Sequence, residues 1–212
     1  MCARTPAGRH NLHVIDLPPD TAFIANTPRL RLQPVTAADA EEMFVLLNDQ
    51  RLHRFIGGLP LGLAELGERY RSLEGRRTVD GELVLLTWAV RLVPLGDAIA
   101  EIRATVDDAG VADIGITVGA RWQGHGFACE GLWAAIRLLI GHLAVTRLVT
   151  GVPPGHLGAG RLAEHLRLTP DGIDARGWER WVGSADAAAA ALAVDLAEVT
   201  GRPAGSATVR EA

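Results

Sequence analysis

Two glycines flank a histidine at Gly124-His125-Gly126, between a run of alternating residues, Asp113-Ile114-Gly115-Ile116-Thr117-Val118, and a long apolar-faced segment that starts at Phe127. The alternation predicts a strand. The spacing of Leu132, Ala135, Ile136, Leu139 and Ile140 predicts a helix ending near Gly141, so the glycines form the turn between the two. The first N–H groups of a helix lack internal partners, the helix dipole adds positive potential there, and glycine lets a ligand approach the backbone closely. Such a turn can bind a pyrophosphate, although a plain helix start is the alternative reading of these residues alone. A Walker loop, G-x-x-x-x-G-K-[ST], is absent, and G-x-G-x-x-G fails because Cys129 stands where its third glycine belongs.

Titratable side chains supply further candidates. Asp113 shares a strand face with Gly115 and Thr117. Glu101 and Arg103 project from the polar face of the run in which Ala98, Ala100, Ile102, Ala104 and Val106 are apolar; a solvated ion pair would also explain them. His156 opens a helix after Pro153-Pro154-Gly155, and an ordinary helix-start histidine is the competing reading. His53 and Arg54 sit beside apolar Leu52 and Phe55, as substrate-facing or plain surface residues. His10 and His13 have no third ligand near them, so no metal is expected.

The elements that must position these residues follow from pattern. An edge strand is predicted over residues 28–34, bounded by prolines. Thr36 and Asp39 form a capping box before a helix with Ala40, Met43, Phe44 and Leu47 on one face. A loop containing Gly57-Gly58 leads to a second helix through Leu63, Leu66, Tyr70 and Leu73. Residues 83–92, 98–106 and 111–118 read as an antiparallel meander. After the long helix come a strand at 147–152, a helix at 157–166 and a closing strand at 178–182. Three parts are expected: an extension at 1–26, a domain at 27–182, and an Ala-rich helix and tail at 183–212.

The composition, 48% hydrophobic and 5% aromatic, allows a substantial aliphatic core. A net charge of -4 without a Lys/Arg block argues against nucleic acid and leans towards cationic small acceptors. No apolar run reaches the roughly 18 residues of a membrane span, and no secretory signal is read, so a cytoplasmic protein without membrane contact is expected. Cys2 and Cys129 give no disulfide framework.

Residues 121–126 match the Q/R-x-x-G-x-G/A signature of the GNAT superfamily of N-acetyltransferases. The stretch Trp-Gln-Gly-His-Gly-Phe-Ala-Cys-Glu, from Trp122, is similar to the Tyr-Gln-Gly-Lys-Gly-Tyr-Ala-Thr-Glu of its RimJ/RimL-like branch. Thr27-Pro28-Arg29-Leu30-Arg31-Leu32 resembles that branch's first strand, so the resemblance spans residues 27–182. It implies an α/β (α+β) fold with a mixed, mostly antiparallel sheet flanked by helices. It also implies acetyl transfer from acetyl-CoA to a primary amine: an aminoglycoside-type antibiotic, a polyamine, an amino metabolite or a protein N-terminus. A non-catalytic acyl-CoA sensor or a dimerisation module, with a homodimer through the Ala-rich helix, is the alternative.

By the same resemblance, Thr117 and Val118 offer backbone groups to the pantetheine arm. Gln123, Gly124, His125, Gly126, Phe127 and Ala128 hold the pyrophosphate. Asp113 stands where the branch often carries a Glu and is the first candidate base, Glu101 the second. His156 and Ala159 replace the family's Asn and Ser, with His156 as a contact to the cofactor or a proton shuttle. Tyr70 is the only tyrosine, which leaves the general acid unassigned. His53 and Arg54 belong to a loop that walls the acceptor pocket.

Overall fold

The computed structural model describes residues 17–56 and 59–200, the side chains of 56 and 195–200 excepted. His10, His13, the Gly57-Gly58 break and the tail after residue 200 lie outside the described residues. In chain order the elements are β1 (Ala25–Asn26), β2 (Leu30–Pro34), α1 (Ala40–Leu47), α2 (Gln50–Ile56), α3 (Leu63–Leu73), β3 (Val84–Leu92), β4 (Ala98–Val106) and β5 (Val111–Val118). These are followed by α4 (Phe127–Leu143), β6 (Arg147–Val152), α5 (Leu157–His165), β7 (Thr169–Ile173), β8 (Glu179–Ser184) and α6 (Ala185–Thr200). The sheet runs β1-β2-β3-β4-β5-β6-β8-β7, and only β5 and β6 are parallel. This is the mixed, mostly antiparallel sheet expected.

Three elements were not read from the sequence. The segment expected as a loop between the first helices contains α2, whose seven residues bury Leu52 and are too short to show a helical stripe. β7 is exposed along its whole length and carries Pro170 and Gly172; its pairing with β8 makes it a strand. β1 is two residues that extend the edge beside β2.

Alternation along the strands sorts the two faces. Leu30, Ile102 and Ile116 point at α4, which settles onto them at Gly131; a Cβ there would lie 3.1 Å from Ile102 Cδ1. Trp88, Ile136 and Leu139 complete this core, and each buried side chain of that size is worth about 1.5–3 kcal/mol. Ala89, Ala98, Met43, Leu66 and Tyr70 form a smaller cluster under α1 and α3 on the other face. Phe23 before the sheet, Ala25 on β1, and Ala185, Ala188 and Leu192 on α6 are buried in the main core, so packing extends past residues 27–182 at both ends.

α4 does not stop at Gly141, which is helical. It stops at Ala144, a residue in the left-handed region with φ 49°. The following chain is held there, because Thr146 N–H donates to Gly110 O at 3.0 Å. An alanine in that conformation carries a Cβ clash that glycine lacks. Ala144→Gly should therefore raise stability by about 0.5–1 kcal/mol, read as a higher urea midpoint at unchanged slope.

Candidate active site

β5 and β6 pair only from Val111 with Arg147 to Asp113 with Val149, and then part. Gly119 N–H donates to Ile99 O at 2.9 Å, which fixes the phase of the β4–β5 ladder. The odd-numbered residues of β5 pair their backbone with β4, so on the other edge, past the last rung with β6, the Ile114 C=O, both groups of Ile116 and the Val118 N–H face the gap. The result is a cleft of about 290 Å³ floored by β5 and walled by α2, β6, α5 and the β7–β8 connection. Val118 brings its backbone to the cleft as expected. Thr117 brings its side chain instead, since its own N–H and C=O pair with Glu101.

The glycine turn meets this cleft at Gln123, the one residue of 123–128 in its lining. Gly124 has φ +80° and Gly126 φ +77°, conformations that residues with a Cβ adopt at a cost. Gly126 is the N-cap of α4, and the first intrahelical bond is made by Glu130 N–H to Gly126 O at 3.2 Å. Phe127 and Ala128 N–H therefore precede the hydrogen-bonded ladder and are available to an anion. A Cβ on Gly124 would meet nothing within 4 Å, so the space over the turn is open. His125 is exposed; its Nδ1 lies 2.8 Å from Gln123 O and 3.2 Å from Trp122 O, so Nδ1 carries a proton and ties the turn to itself. Gln123 Nε2 donates to Val118 O at 3.1 Å, joining the turn to the β5 edge. Coenzyme A fits this arrangement: a glycine cradle for its pyrophosphate leads into an unpaired strand edge for its peptide-like arm.

What holds the turn in place was not read from the sequence. Glu130, almost fully buried, accepts from Thr27 Oγ1 at 2.5 Å, Arg29 N–H at 3.0 Å and Arg29 Nε at 2.6 Å. Arg29 Nη1 also donates to His125 O at 3.1 Å, and its guanidinium lies 4.8 Å from the centre of the Phe127 ring. Thr27, Arg29 and Glu130 were legible as motif letters, but their mutual contact joins positions a hundred residues apart.

On the α1–α3 face a second recess of about 110 Å³ adjoins the cleft, with Leu52, Arg103 and Thr117 common to both. Glu101 lines it and is 3% exposed. Its carboxylate accepts from Arg69 Nη2 at 3.0 Å and Tyr70 Oη at 3.1 Å, with Arg103 Nε at 3.4 Å. Burial first, and then the adjacent Glu101 charge and hydrogen bond, raise the Tyr70 phenol well above its ordinary value; the Arg69 charge works against them.

Asp113 is exposed at the last paired rung and lines neither cavity. Crowding by neighbouring atoms raises its carboxyl above the ordinary value. Arg176, Arg103 and Arg180 pull it down, and Asp174 adds to the rise.

His156 lines the cleft as the N-cap of α5, with Phe55 against it at 4.3 Å between ring centres. Its Nδ1 accepts Ala159 N–H at 3.1 Å, so the proton of the neutral ring is on Nε2. His53 lines the recess, with Nε2 3.0 Å from Leu47 O at the end of α1. Arg54 is exposed and leans on Phe55, while Arg51, three residues back on the same helix, lines the cleft.

Among solved structures, the fold resembles an aminoglycoside acetyltransferase, AAC(6')-Ib, in complex with coenzyme A, at TM-score 0.62 and 21% identity over 74% of this chain and 96% of that one. It also resembles a protein described as a ribosomal-protein-serine acetyltransferase from Vibrio cholerae, at 0.63 and 20% over 76% and 97%. Mycobacterium smegmatis RimJ in complex with CoA-disulfide follows at 0.66 and 16% over 84% and 93%. No curated protein matches the sequence.

Two outcomes test the geometry. Gly124→Trp should abolish calorimetric binding of coenzyme A while the fold is kept, the left-handed strain of roughly 1 kcal/mol lowering the thermal midpoint by only about 2–4 °C. Because the Tyr70 phenol is raised, the folded state favours its protonated form; that stability is complete below the unfolded phenol value near 10 and is lost at higher pH. As Tyr70 is the only tyrosine, phenolate absorbance in an alkaline titration should appear only together with loss of the far-UV dichroism of the fold. The acetyltransferase (GNAT) domain model matches residues 29–169, from the arginine that anchors the glycine turn to the start of β7, so the chain belongs to the GNAT family and is an acetyl-CoA-dependent N-acetyltransferase.

Proposed function

We propose that the protein acetylates a primary amine, on a small molecule or a protein N-terminus, that enters through the recess beside Glu101 and meets the cleft at Thr117. The observation that carries this reading is the unpaired edge of β5, which runs from the glycine turn to the junction of the two cavities. An aminoglycoside acetyltransferase among the structural neighbours also supports an amine as acceptor.

The thioester of acetyl-CoA supplies the acyl group. Ile116 and Val118 N–H groups donate to an extended ligand along β5, as a neighbouring strand would receive them. An ammonium has no lone pair, so the acceptor must lose a proton before it attacks. Glu101 lines the recess, and Arg69 and Tyr70 occupy two of its roughly four lone-pair directions, which leaves room for a water through which the proton of the amine is taken. His156 lines the cleft with its Nδ1 held by Ala159 N–H, so its Nε2–H is the donor that protonates the departing sulfur, the role for which the chain has no tyrosine in this half. Asp113 stays a second candidate base, and acts from outside the cavity walls if it acts at all.

The experiment is thiol release from acetyl-CoA against a panel of amines, repeated on variants. Glu101→Gln should lower kcat by roughly a hundredfold or more with coenzyme A binding unchanged, and Asp113→Asn should leave kcat within a few-fold. The reverse ranking would assign the base to Asp113. Binding of acetyl-CoA with no product from any amine would favour an acyl-CoA sensor.

A further inference from the structure

With the amine entering beside Glu101, as proposed above, the charge of the surrounding wall selects among amines. We infer that the acceptor also carries a carboxylate, and that Arg103 binds it.

The charged side chains lining the two cavities are Arg51, Arg69, Arg103 and Arg176 against a single carboxylate, Glu101, with no other Asp or Glu in either wall among the described residues. Three of the arginines are already engaged. Arg51 is held by Asp49 at 2.5 Å, Arg176 by Asp174 at 2.7 Å and Arg69 by Glu101 at 3.0 Å. The hydrogen bonds from Arg51 hold the Asp49 carboxyl down at about 2, and the Trp178 N–H chiefly holds Asp174 low, so both carboxylates stay ionised beside their arginines across the working pH range.

Arg103 differs. Its contact is the longer one, Nε to Glu101 Oε1 at 3.4 Å, on an oxygen that Arg69 already holds at closer range. Half of its side chain is exposed, and it lines both the cleft and the recess. Opposite it on β5 stands Gly115, where an added Cβ would meet nothing within 4 Å. A planar guanidinium beside open space is suited to take a carboxylate through two parallel N–H donors.

The same wall disfavours polycations. Beyond Arg69 and Tyr70, Glu101 keeps about two acceptor directions with Arg103 beside them, enough for the reacting amine and not for several ammonium groups, which would meet the arginines instead. The net charge of -4 suggests the opposite preference, but those charges lie elsewhere on the chain. Two sources share the inferred chemistry: a free amino acid, and a peptide N-terminus with an acidic residue beside it.

The test uses matched acceptors: an amino acid and its amide, an acidic N-terminal peptide and its Asn/Gln counterpart, a polyamine and an aminoglycoside. The expected result is a kcat/KM about tenfold or more higher for the carboxylate member of at least one pair, carried mainly by KM. The pair that shows it identifies the source. Arg103→Gln should erase that ratio and Arg103→Glu should invert it, each still binding coenzyme A. A preference for polyamine or aminoglycoside, or a ratio that survives Arg103→Gln, overturns the inference. If acetyl-CoA binds and no amine is turned over, the acceptor reading fails separately. Calorimetry of the same pairs with coenzyme A present then decides the anion site, with equal affinities for carboxylate and amide refuting it.

Discussion

Backbone N–H and C=O groups of a central strand are obliged to find partners, and on the β6 side of β5 they find strand partners only as far as Asp113. Beyond that rung the Ile114 C=O, both groups of Ile116 and the Val118 N–H face a gap, at the centre of a sheet where a continuous ladder would be the cheaper arrangement. β6 itself continues past the gap, since on its other edge it pairs with β8 along its whole length. An extended ligand can complete β5 as a surrogate strand. The glycine turn, the α2 wall and the α5 cap matter because they surround this one interruption.

A turn with two left-handed glycines has many conformations to lose, and the structure limits them through Glu130. A buried carboxylate of this kind contributes little net stability, because its desolvation offsets much of its attraction to Arg29. Its effect is positional. One side chain satisfies Thr27, the Arg29 backbone and the Arg29 guanidinium, while Arg29 also reaches His125 O, so the entry to α4 is fixed against β2. Donors held in place before a ligand arrives need not be ordered when it binds.

The smaller core under α1 and α3 joins packing to chemistry. Tyr70 is fully buried in that cluster, and its hydroxyl ends on the Glu101 carboxylate. Glu101 is thus oriented by a core residue on one oxygen and by Arg69 on the other, so a packing change under α3 would be felt at the recess. The helices on this face orient Glu101, and α4 on the opposite face fixes the glycine turn through Glu130.

Sequence alone determined what is local. Period-two alternation marked β3, β4 and β5, a helical stripe marked α4, and the Gly124-His125-Gly126 turn with its flanking letters identified the family. These are legible because backbone conformation and the facing of one strand depend on neighbours a few residues away. The short α2 and the exposed β7 were not legible, since tertiary contact rather than pattern makes them helix and strand. Only the tertiary structure decided which side chains share a wall. Asp113 and Thr117 lie on one strand face by parity, yet Thr117 lines the cavities and Asp113 does not, because the gap between β5 and β6 opens only past the Asp113 rung. Glu101 with Tyr70 and Arg69, and Glu130 with Arg29, are likewise encounters between distant segments, set by how helices lie on the sheet.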